Sequence, residues 1–116
     1  MADYAVIAGG GTGGHINAAI SLGELILAEG GDVQYVSGTR HLDYKLFKNK
    51  NCIHLNTFPL RYKNPFKIIK SLTLNMYYFI KLILVYIKKR PRFIIGCGGY
   101  VCGPALMAGH ILFIPV

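Results

Sequence analysis

Five glycines, a threonine and a histidine stand together near the amino terminus and form the group best suited to bind an anion. They read Gly9-Gly10-Gly11-Thr12-Gly13-Gly14-His15 and follow the apolar run 4–8. A glycine turn between a buried strand and a helix lets the backbone approach a ligand closely, and the start of the helix favours phosphate. The spacing also fits G-x-G-x-x-G, supported here by a strand pattern before it and a helix pattern after it. The turn is therefore a predicted phosphate site.

Two side chains in this turn could act on a substrate. His15 falls in the first turn of the predicted helix, where the helix dipole favours a neutral imidazole, and a neutral ring can take a proton from an attacking hydroxyl. The Thr12 hydroxyl and the N–H groups of Gly11, Gly13 and Gly14 are candidate donors to phosphate oxygens. The alternatives are a histidine that binds only water and a threonine that caps the helix.

A second glycine turn follows another apolar run. It reads Gly96-Cys97-Gly98-Gly99-Tyr100-Val101-Cys102-Gly103-Pro104, after residues 93–95. In a parallel sheet, ligands bind beyond the carboxyl ends of the strands, near the switch point in strand order. Both turns follow predicted strands, so we expect them to face one cleft. Tyr100 either contacts a sugar or packs across the turn, and Gly103-Pro104 resembles a helix start.

The elements that hold these turns alternate along the chain. Strands are predicted over residues 3–8, 32–37, 52–57, 92–96 and 111–115, and helices over 14–29, 41–49, 65–89 and 103–110. The apolar runs are continuous, which is typical of strands buried on both faces. The prediction is one α/β domain over residues 1–116, a Rossmann-like parallel sheet of about five strands with helices on both faces.

A dinucleotide-binding domain is the first alternative within this fold class. It would normally place an acidic residue at the end of the second strand to hold a ribose. That strand ends at Ser37, and Asp32 stands at its start. Arg40 could meet a ribose phosphate instead, so binding of an NADP-type nucleotide remains open.

Charge is distributed unevenly along the 116 residues. The formal net charge is +8, all five acidic residues lie in the first 43 positions, and twelve of the 13 Lys and Arg follow. The basic segment after residue 43 predicts an anionic partner. The alternative is that the excess of lysine reflects codon bias in an AT-rich genome. Cys52, Cys97 and Cys102 are too few and wrongly spaced for a disulfide scaffold or a zinc site, so we expect reduced thiols and neither metal nor cofactor.

Residues 58–92 interleave basic and apolar side chains. One face of a helix here must cover the sheet, and the remaining apolar residues suit an anionic membrane surface. The apolar stretch 72–87 is shorter than the ~20 residues of a spanning helix, so we expect a helix that does not cross the membrane. One alternative is a crossover helix with a solvated basic face. Another is a nucleic-acid surface, which is less favoured because the sequence shows no recognised nucleic-acid-binding motif. The predicted membrane-facing residues are Phe66, Lys67, Lys70, Phe79 and Lys81.

Together the two turns resemble those of the MurG family of bacterial glycosyltransferases. That family carries G-G-T-G-G-H after its first strand and G-G-Y-V-S-G-P further on, and here these segments read Gly10 to His15 and Gly98 to Pro104. The chain departs from the pattern at Asn17, near a usual proline, and at Cys102, in place of a usual serine. It also ends just before the family's H-E-Q-N segment.

The resemblance implies the amino-terminal, acceptor-side half of an inverting GT-B enzyme. Such an enzyme transfers N-acetylglucosamine from UDP-N-acetylglucosamine to an undecaprenyl-diphosphate-linked muramoyl-peptide, as a peripheral protein at the cytoplasmic face of the membrane. It implies that UDP-N-acetylglucosamine binds through a donor domain, missing or separately encoded, and that this chain alone is inactive. The alternatives are a docking subunit of a split transferase and a fragment. By resemblance His15 is the base or a donor to the diphosphate, and the acceptor-binding residues are Gly10, Gly11, Thr12, Gly13, Gly14, Asn17, Gly98, Gly99, Tyr100 and Gly103.

Overall fold

The computed structural model describes residues 4–56 and 64–116. In chain order the strands are β1 (Tyr4–Ala8), β2 (Asp32–Ser37), β3 (Cys52–His54) and β4 (Ile94–Gly96). The helices are α1 (Gly13–Ala28), α2 (His41–Leu46), α3 (Pro65–Lys88) and α4 (Cys102–Ile111). The predicted strand positions 3 and 57, and residues 58–63 of the basic segment, lie outside the described residues.

The four strands form one parallel sheet in the order β3-β2-β1-β4. Because all four run the same way, their carboxyl ends share one edge. Strand order reverses between β1 and β4, and this is the switch point where a crevice forms in such sheets. Every residue of β1 is buried, as expected for a central strand that is covered on both faces.

Two hydrophobic cores lie on opposite faces of the sheet. On one face Ile7 and Tyr35 pack with Ile16 of α1 and with Phe47, which follows α2. The other face presents alternate strand residues, among them Val6, to α3 and α4. The predicted α/β fold with helices on both faces is thus confirmed.

The predicted fifth strand over residues 111–115 is wrong. Helix α4 continues to Ile111, and Phe113 turns the chain with a φ of 59°. The remaining residues lie beside β4, where the Ile94 N–H donates to the Pro115 carbonyl at 2.8 Å, but they form no strand. The helix and the turn use most of the residues that the apolar pattern had assigned to a strand.

Helix α3 is the long crossover that the sequence predicts. Asn64 caps it by accepting from the Phe66 N–H at 3.0 Å, and Pro65 occupies the first turn, where a missing N–H costs nothing. By length and composition α3 could span a membrane, since 18 of its 24 residues average a hydropathy of 1.5. Only 11% of that stretch is buried, so most of its apolar surface faces outward.

Tyr35 has a buried hydroxyl for which the described residues offer no hydrogen-bond partner. It points at Gly23 of α1, where an added Cβ would lie 1.9 Å from the Tyr35 oxygen. Burial raises the pKa of Tyr35, with smaller contributions from Glu24 and Cys52. The packing of β2 on α1 therefore depends on a glycine in the middle of a helix.

Replacing Tyr35 by phenylalanine should stabilise the protein. The substitution removes an unsatisfied hydroxyl and keeps the ring contact with Phe47, so we expect the free energy of unfolding to rise by about 1 kcal/mol in urea titrations. Tyr86→Phe is the matched control, because the Tyr86 hydroxyl donates to the Ala105 carbonyl at 3.3 Å and its loss should destabilise. A lower stability for Tyr35→Phe would show that its hydroxyl is hydrogen-bonded after all.

Candidate functional site

The two glycine turns meet at the carboxyl edge of the sheet. They follow the neighbouring strands β1 and β4, and the Gly10 N–H donates to the Gly98 carbonyl at 3.3 Å. At the same edge the Cys97 N–H donates to the Ala8 carbonyl at 2.7 Å. The prediction that both turns lie together is confirmed, although more than eighty residues separate them along the chain.

The approach of the turns leaves no room for side chains in the second one. A Cβ on Gly99 would lie 2.4 Å from the Gly10 carbonyl oxygen, and one on Gly98 would lie 2.5 Å from the His15 ring. Both residues also have positive φ angles, 122° at Gly98 and 95° at Gly99, which L-residues rarely adopt. Glycine is therefore required at both positions for sterics as well as backbone conformation.

The His15 ring is oriented by backbone from both turns. Its Nδ1 lies 3.2 Å from the Gly10 carbonyl oxygen, and its other edge lies against Gly98. Because a carbonyl oxygen only accepts hydrogen bonds, Nδ1 carries the proton in this contact and a neutral ring keeps a lone pair on Nε2. The arrangement suits Nε2 to accept a proton from a bound hydroxyl.

Thr12 is the amino-terminal cap of α1. Its Oγ1 accepts from the His15 N–H at 3.2 Å, so the capping interpretation is confirmed. The same hydroxyl remains able to donate its own proton to an anion. Gly13 and Gly14 open the helix, where N–H groups have no partner within the helix. Phosphate binding by their two N–H groups stays a prediction that this geometry favours.

Gly11 has a partner that the sequence analysis did not predict. Its N–H donates to Oδ1 of Asp43 at 3.2 Å, so it is already occupied by a carboxylate within the protein. Phosphate binding by this N–H stays a prediction, and it would require the group to leave Asp43. Gly11 still borders the site, because its Cα faces the ring of Tyr100.

Asp43 is the residue that the sequence analysis missed. It is fully buried, and it accepts from the Ser37 hydroxyl at 2.7 Å and from the Arg40 N–H at 3.1 Å in addition to Gly11. One carboxylate thus joins the first glycine turn, the end of β2 and the start of α2. An acidic residue three positions after a helix cap is a known signature, and it was the available signal.

Tyr100 leans across the first turn and lies under a cation. The Arg40 guanidinium carbon is 5.5 Å from the centroid of the Tyr100 ring, a cation–π distance. The half-buried ring also faces Gly11, which supports packing across the turn as one of its roles. A contact between Tyr100 and a sugar stays a prediction.

The remaining predicted residues lie around this centre. Gly103 is exposed in the first turn of α4, as the helix-start pattern predicts, and Asn17 is exposed on α1. Cys102 is buried with its Sγ 3.4 Å from the Ala8 carbonyl oxygen. Burial raises the pKa of the Cys102 and Cys97 thiols, so both favour the protonated form and suit packing.

The predicted membrane-facing residues are divided by the structure. Phe66, Lys67, Lys70 and Lys81 are exposed on α3, but Phe79 packs against the core on the same side as Leu82 and Tyr86. Phe79 is therefore half-buried on the core-facing side of α3, because positions three and seven apart share a helix face. The sequence pattern alone did not reveal which apolar side of the helix faces outward.

The outward stripe of α3, which we call the apolar stripe, consists of Phe66, Ile69, Leu72, Met76, Tyr77, Ile80, Leu84 and Ile87.

A comparison with protein families identifies the family of this chain. A sequence model of the glycosyltransferase family 28 N-terminal domain matches residues 5–116. The chain belongs to this family.

Two similar proteins carry the same name, UDP-N-acetylglucosamine--N-acetylmuramyl-(pentapeptide) pyrophosphoryl-undecaprenol N-acetylglucosamine transferase. The one from the Wolbachia of Brugia malayi is 37% identical over 96% of this chain and 30% of its own length. The one from Caldanaerobacter subterraneus is 32% identical over 95% of this chain and 31% of its own length.

A solved structure shares the fold. The crystal structure of Acinetobacter baumannii MurG superimposes with a TM-score of 0.76 at 24% identity, over 98% of this chain and 34% of that one. The expected resemblance to MurG is thus confirmed at the level of family and fold. The chain spans about a third of the length of the curated relatives it matches.

Replacing Asp43 by asparagine should weaken the fold at the site. An amide can accept at only one of the two carboxylate positions, so the part-buried N–H of either Gly11 or Arg40 loses its partner. We expect the free energy of unfolding to fall by about 1–3 kcal/mol in urea titrations. Glu29→Gln makes the same chemical change at an exposed position and should leave stability nearly unchanged. Equal stability of both variants would mean that the Asp43 contacts contribute nothing.

Proposed function

We propose that this chain is the acceptor-binding domain of an inverting N-acetylglucosamine transferase of peptidoglycan synthesis. The acceptor is an undecaprenyl-diphosphate-linked N-acetylmuramoyl-peptide, and the donor is UDP-N-acetylglucosamine. The observation that carries the proposal is the meeting of the two glycine turns at the switch point, with Nε2 of His15 beside them. The names of the family 28 relatives support the reaction.

The geometry suits an acceptor that carries its nucleophile and its diphosphate on one sugar. The N–H groups of Gly13 and Gly14 and the Thr12 hydroxyl bind the diphosphate, aided by the positive end of α1. The acceptor hydroxyl then lies near His15. Its oxygen bonds to the anomeric carbon of the donor sugar, its proton passes to Nε2, and the bond to the donor diphosphate breaks with the electrons leaving on UDP.

UDP-N-acetylglucosamine binds in this proposal through a separate donor-binding domain. The acidic group at the end of β2 is Asp43, which is fully buried and already accepts hydrogen bonds from Ser37, Gly11 and Arg40, so it is not available to hold a ribose. The crevice at the switch point is therefore assigned to the acceptor rather than to a nucleotide. For the same reason we expect no sugar transfer from this chain alone.

Helix α3 supplies a membrane-facing surface in this proposal. The apolar stripe follows one side of the helix at spacings of three and four residues, and Lys70, Lys81 and Lys88 lie along its flank. Apolar surface bordered by lysines suits the headgroup region of an anionic membrane. Since Leu82 and Tyr86 on the opposite side are fully buried in the protein core, α3 lies on the membrane and the protein is peripheral, at the cytoplasmic face.

Acceptor binding can be measured with vesicles of anionic phospholipid, with and without the lipid-linked muramoyl-peptide. We expect the acceptor to increase binding of the chain, and His15→Ala to remove that increase while leaving the basal binding unchanged. His15→Asn keeps a side-chain donor toward the Gly10 carbonyl but lacks Nε2, and it separates ring function from turn geometry. If the acceptor adds nothing to wild-type binding, the proposed acceptor site is wrong.

Membrane attachment can be measured with the same vesicles without acceptor. Leu84→Glu in the apolar stripe should lower the partition coefficient about tenfold or more, because it removes an apolar side chain worth roughly 1.5–3 kcal/mol from the lipid contact. Leu25→Glu is the control, an equally exposed leucine on α1 (65% against 62% for Leu84). Equal losses in both variants would show that total charge, and not α3, governs attachment.

A further inference from the structure

Phe113 occupies a position that glycine usually fills. It follows the carboxyl end of α4 with a φ of 59°, and the backbone there makes both hydrogen bonds of a Schellman motif. The Phe113 N–H donates to the His110 carbonyl at 3.1 Å. The next N–H, that of Ile114, donates to the Gly109 carbonyl at 2.9 Å. Because a bulky residue is strained in this left-handed conformation, the turn itself would be more stable with glycine.

The Phe113 ring does not offset this strain by packing within the protein. Its exposed fraction is 90%, larger than that of any other large apolar side chain in the part of the chain that the structure describes. Arg90 fixes the backbone of the turn, because its guanidinium donates to the Leu112 carbonyl at 2.9 Å and to the Phe113 carbonyl at 3.0 Å. A strained aromatic residue that is both anchored and exposed suits contact with a partner.

An apolar cavity of about 400 Å³ opens at the amino edge of the sheet, opposite the glycine turns. It lies between the end of α1 and the starts of β1 and β4, and its apolar walls come from Tyr4, Leu25, Ile26 and Phe93. Phe113 lies near the same edge, because the Pro115 carbonyl accepts from the N–H of Ile94, the first residue of β4. A cavity of ~150 Å³ can already hold benzene, so the space suffices for a phenyl ring.

Charged side chains at this edge are distributed by sign. Glu29, at the rim of the cavity, and Asp32, at the start of β2, are exposed on the α1 side. The segment that joins α3 to β4 is basic, with the exposed residues Lys88, Lys89, Arg90 and Arg92. Because Arg90 holds the Phe113 turn, the ring projects from the basic half, and Glu29 borders the cavity from the acidic half. A second copy rotated by 180° would place unlike charges opposite each other.

We propose that this chain forms a weak two-fold dimer through the amino edge of its sheet, in which Phe113 of each copy enters the cavity of the other. Each copy supplies one ring and one cavity, so the contact is made twice. Two buried rings provide only part of the roughly 1,200 Å² that a stable interface buries, so the dimer is reversible. The glycine turns lie at the opposite edge, and the dimer does not depend on the proposed function.

The test is sedimentation equilibrium of the purified chain, in which we expect a concentration-dependent mixture of monomer and dimer. Phe113→Ala should raise the dissociation constant about a hundredfold, because each dimer loses two apolar contacts worth roughly tenfold each. Phe66→Ala is the matched control, since Phe66 is a similarly exposed phenylalanine on α3 (83% against 90%), and it should leave the constant unchanged.

Three outcomes would overturn the proposal. The first is a wild-type chain that stays monomeric at every soluble concentration. The second is a loss of dimer in Phe66→Ala that equals or exceeds the loss in Phe113→Ala. The third is weaker binding of Phe113→Ala to anionic vesicles with no change in its dimerisation, which would assign the ring to a membrane.

A mixture of two defective variants tests the reciprocal arrangement. Phe113→Ala keeps the cavity, and Leu25→Arg keeps the ring but places a cation in the cavity wall, opposite the basic segment of the second copy. Leu25 is exposed on α1, where arginine is a good helix former. The equimolar mixture should form dimers at concentrations where each variant alone is monomeric, because one of the two contacts is intact. No dimer in the mixture would reject the insertion of the ring into the cavity.

Phe113→Gly separates association from folding. Glycine adopts a φ of 59° without strain, so we expect this variant to lose the dimer and yet to unfold at a higher urea concentration than wild type. The unfolding comparison is made at a protein concentration where wild type is monomeric. A lower unfolding midpoint for Phe113→Gly would show that the ring stabilises the monomer, and it would assign Phe113 to the fold and not to a partner.

Discussion

The structure of the site depends on a backbone contact between two turns that have no side chains at the point of contact. Gly99 lies so close to the Gly10 carbonyl that a single methyl group would push the turns apart. The orientation of His15 follows from this contact, because its ring is held between the Gly10 carbonyl and Gly98. The main chain therefore makes the contact between the two turns, and the His15 side chain is oriented by it.

The buried charge of Asp43 beside the proposed anion site has both a benefit and a cost. Asp43 fixes the first turn against β2 and α2 through three hydrogen bonds, which suits a site that must not rearrange when it binds a ligand. The same carboxylate repels an incoming phosphate. The positive end of α1 offsets part of that repulsion.

The crossover topology relates the site to α3, the helix that we propose faces the membrane. Strand β3 ends at the carboxyl edge of the sheet, and α3 must return the chain to the start of β4 at the opposite edge. The first turn of α3, with Phe66 and Lys67, accordingly begins at the edge that carries the glycine turns. Under the proposed function, a lipid-linked acceptor held in the membrane would meet the protein at this same edge.

The sequence by itself determined the element order, the parallel sheet and the positions of both glycine turns, since these depend on local patterns of apolar residues and glycine. The helix caps at Thr12 and Asn64 are of the same local kind. What only the tertiary structure decided were contacts between distant segments: the link from Asp43 to Gly11, the place of Arg40 over Tyr100, and the inward direction of Phe79. The prediction of the fifth strand was wrong for a related reason. A short apolar run is compatible with a strand or with the end of a helix, and only its tertiary contacts decide between the two.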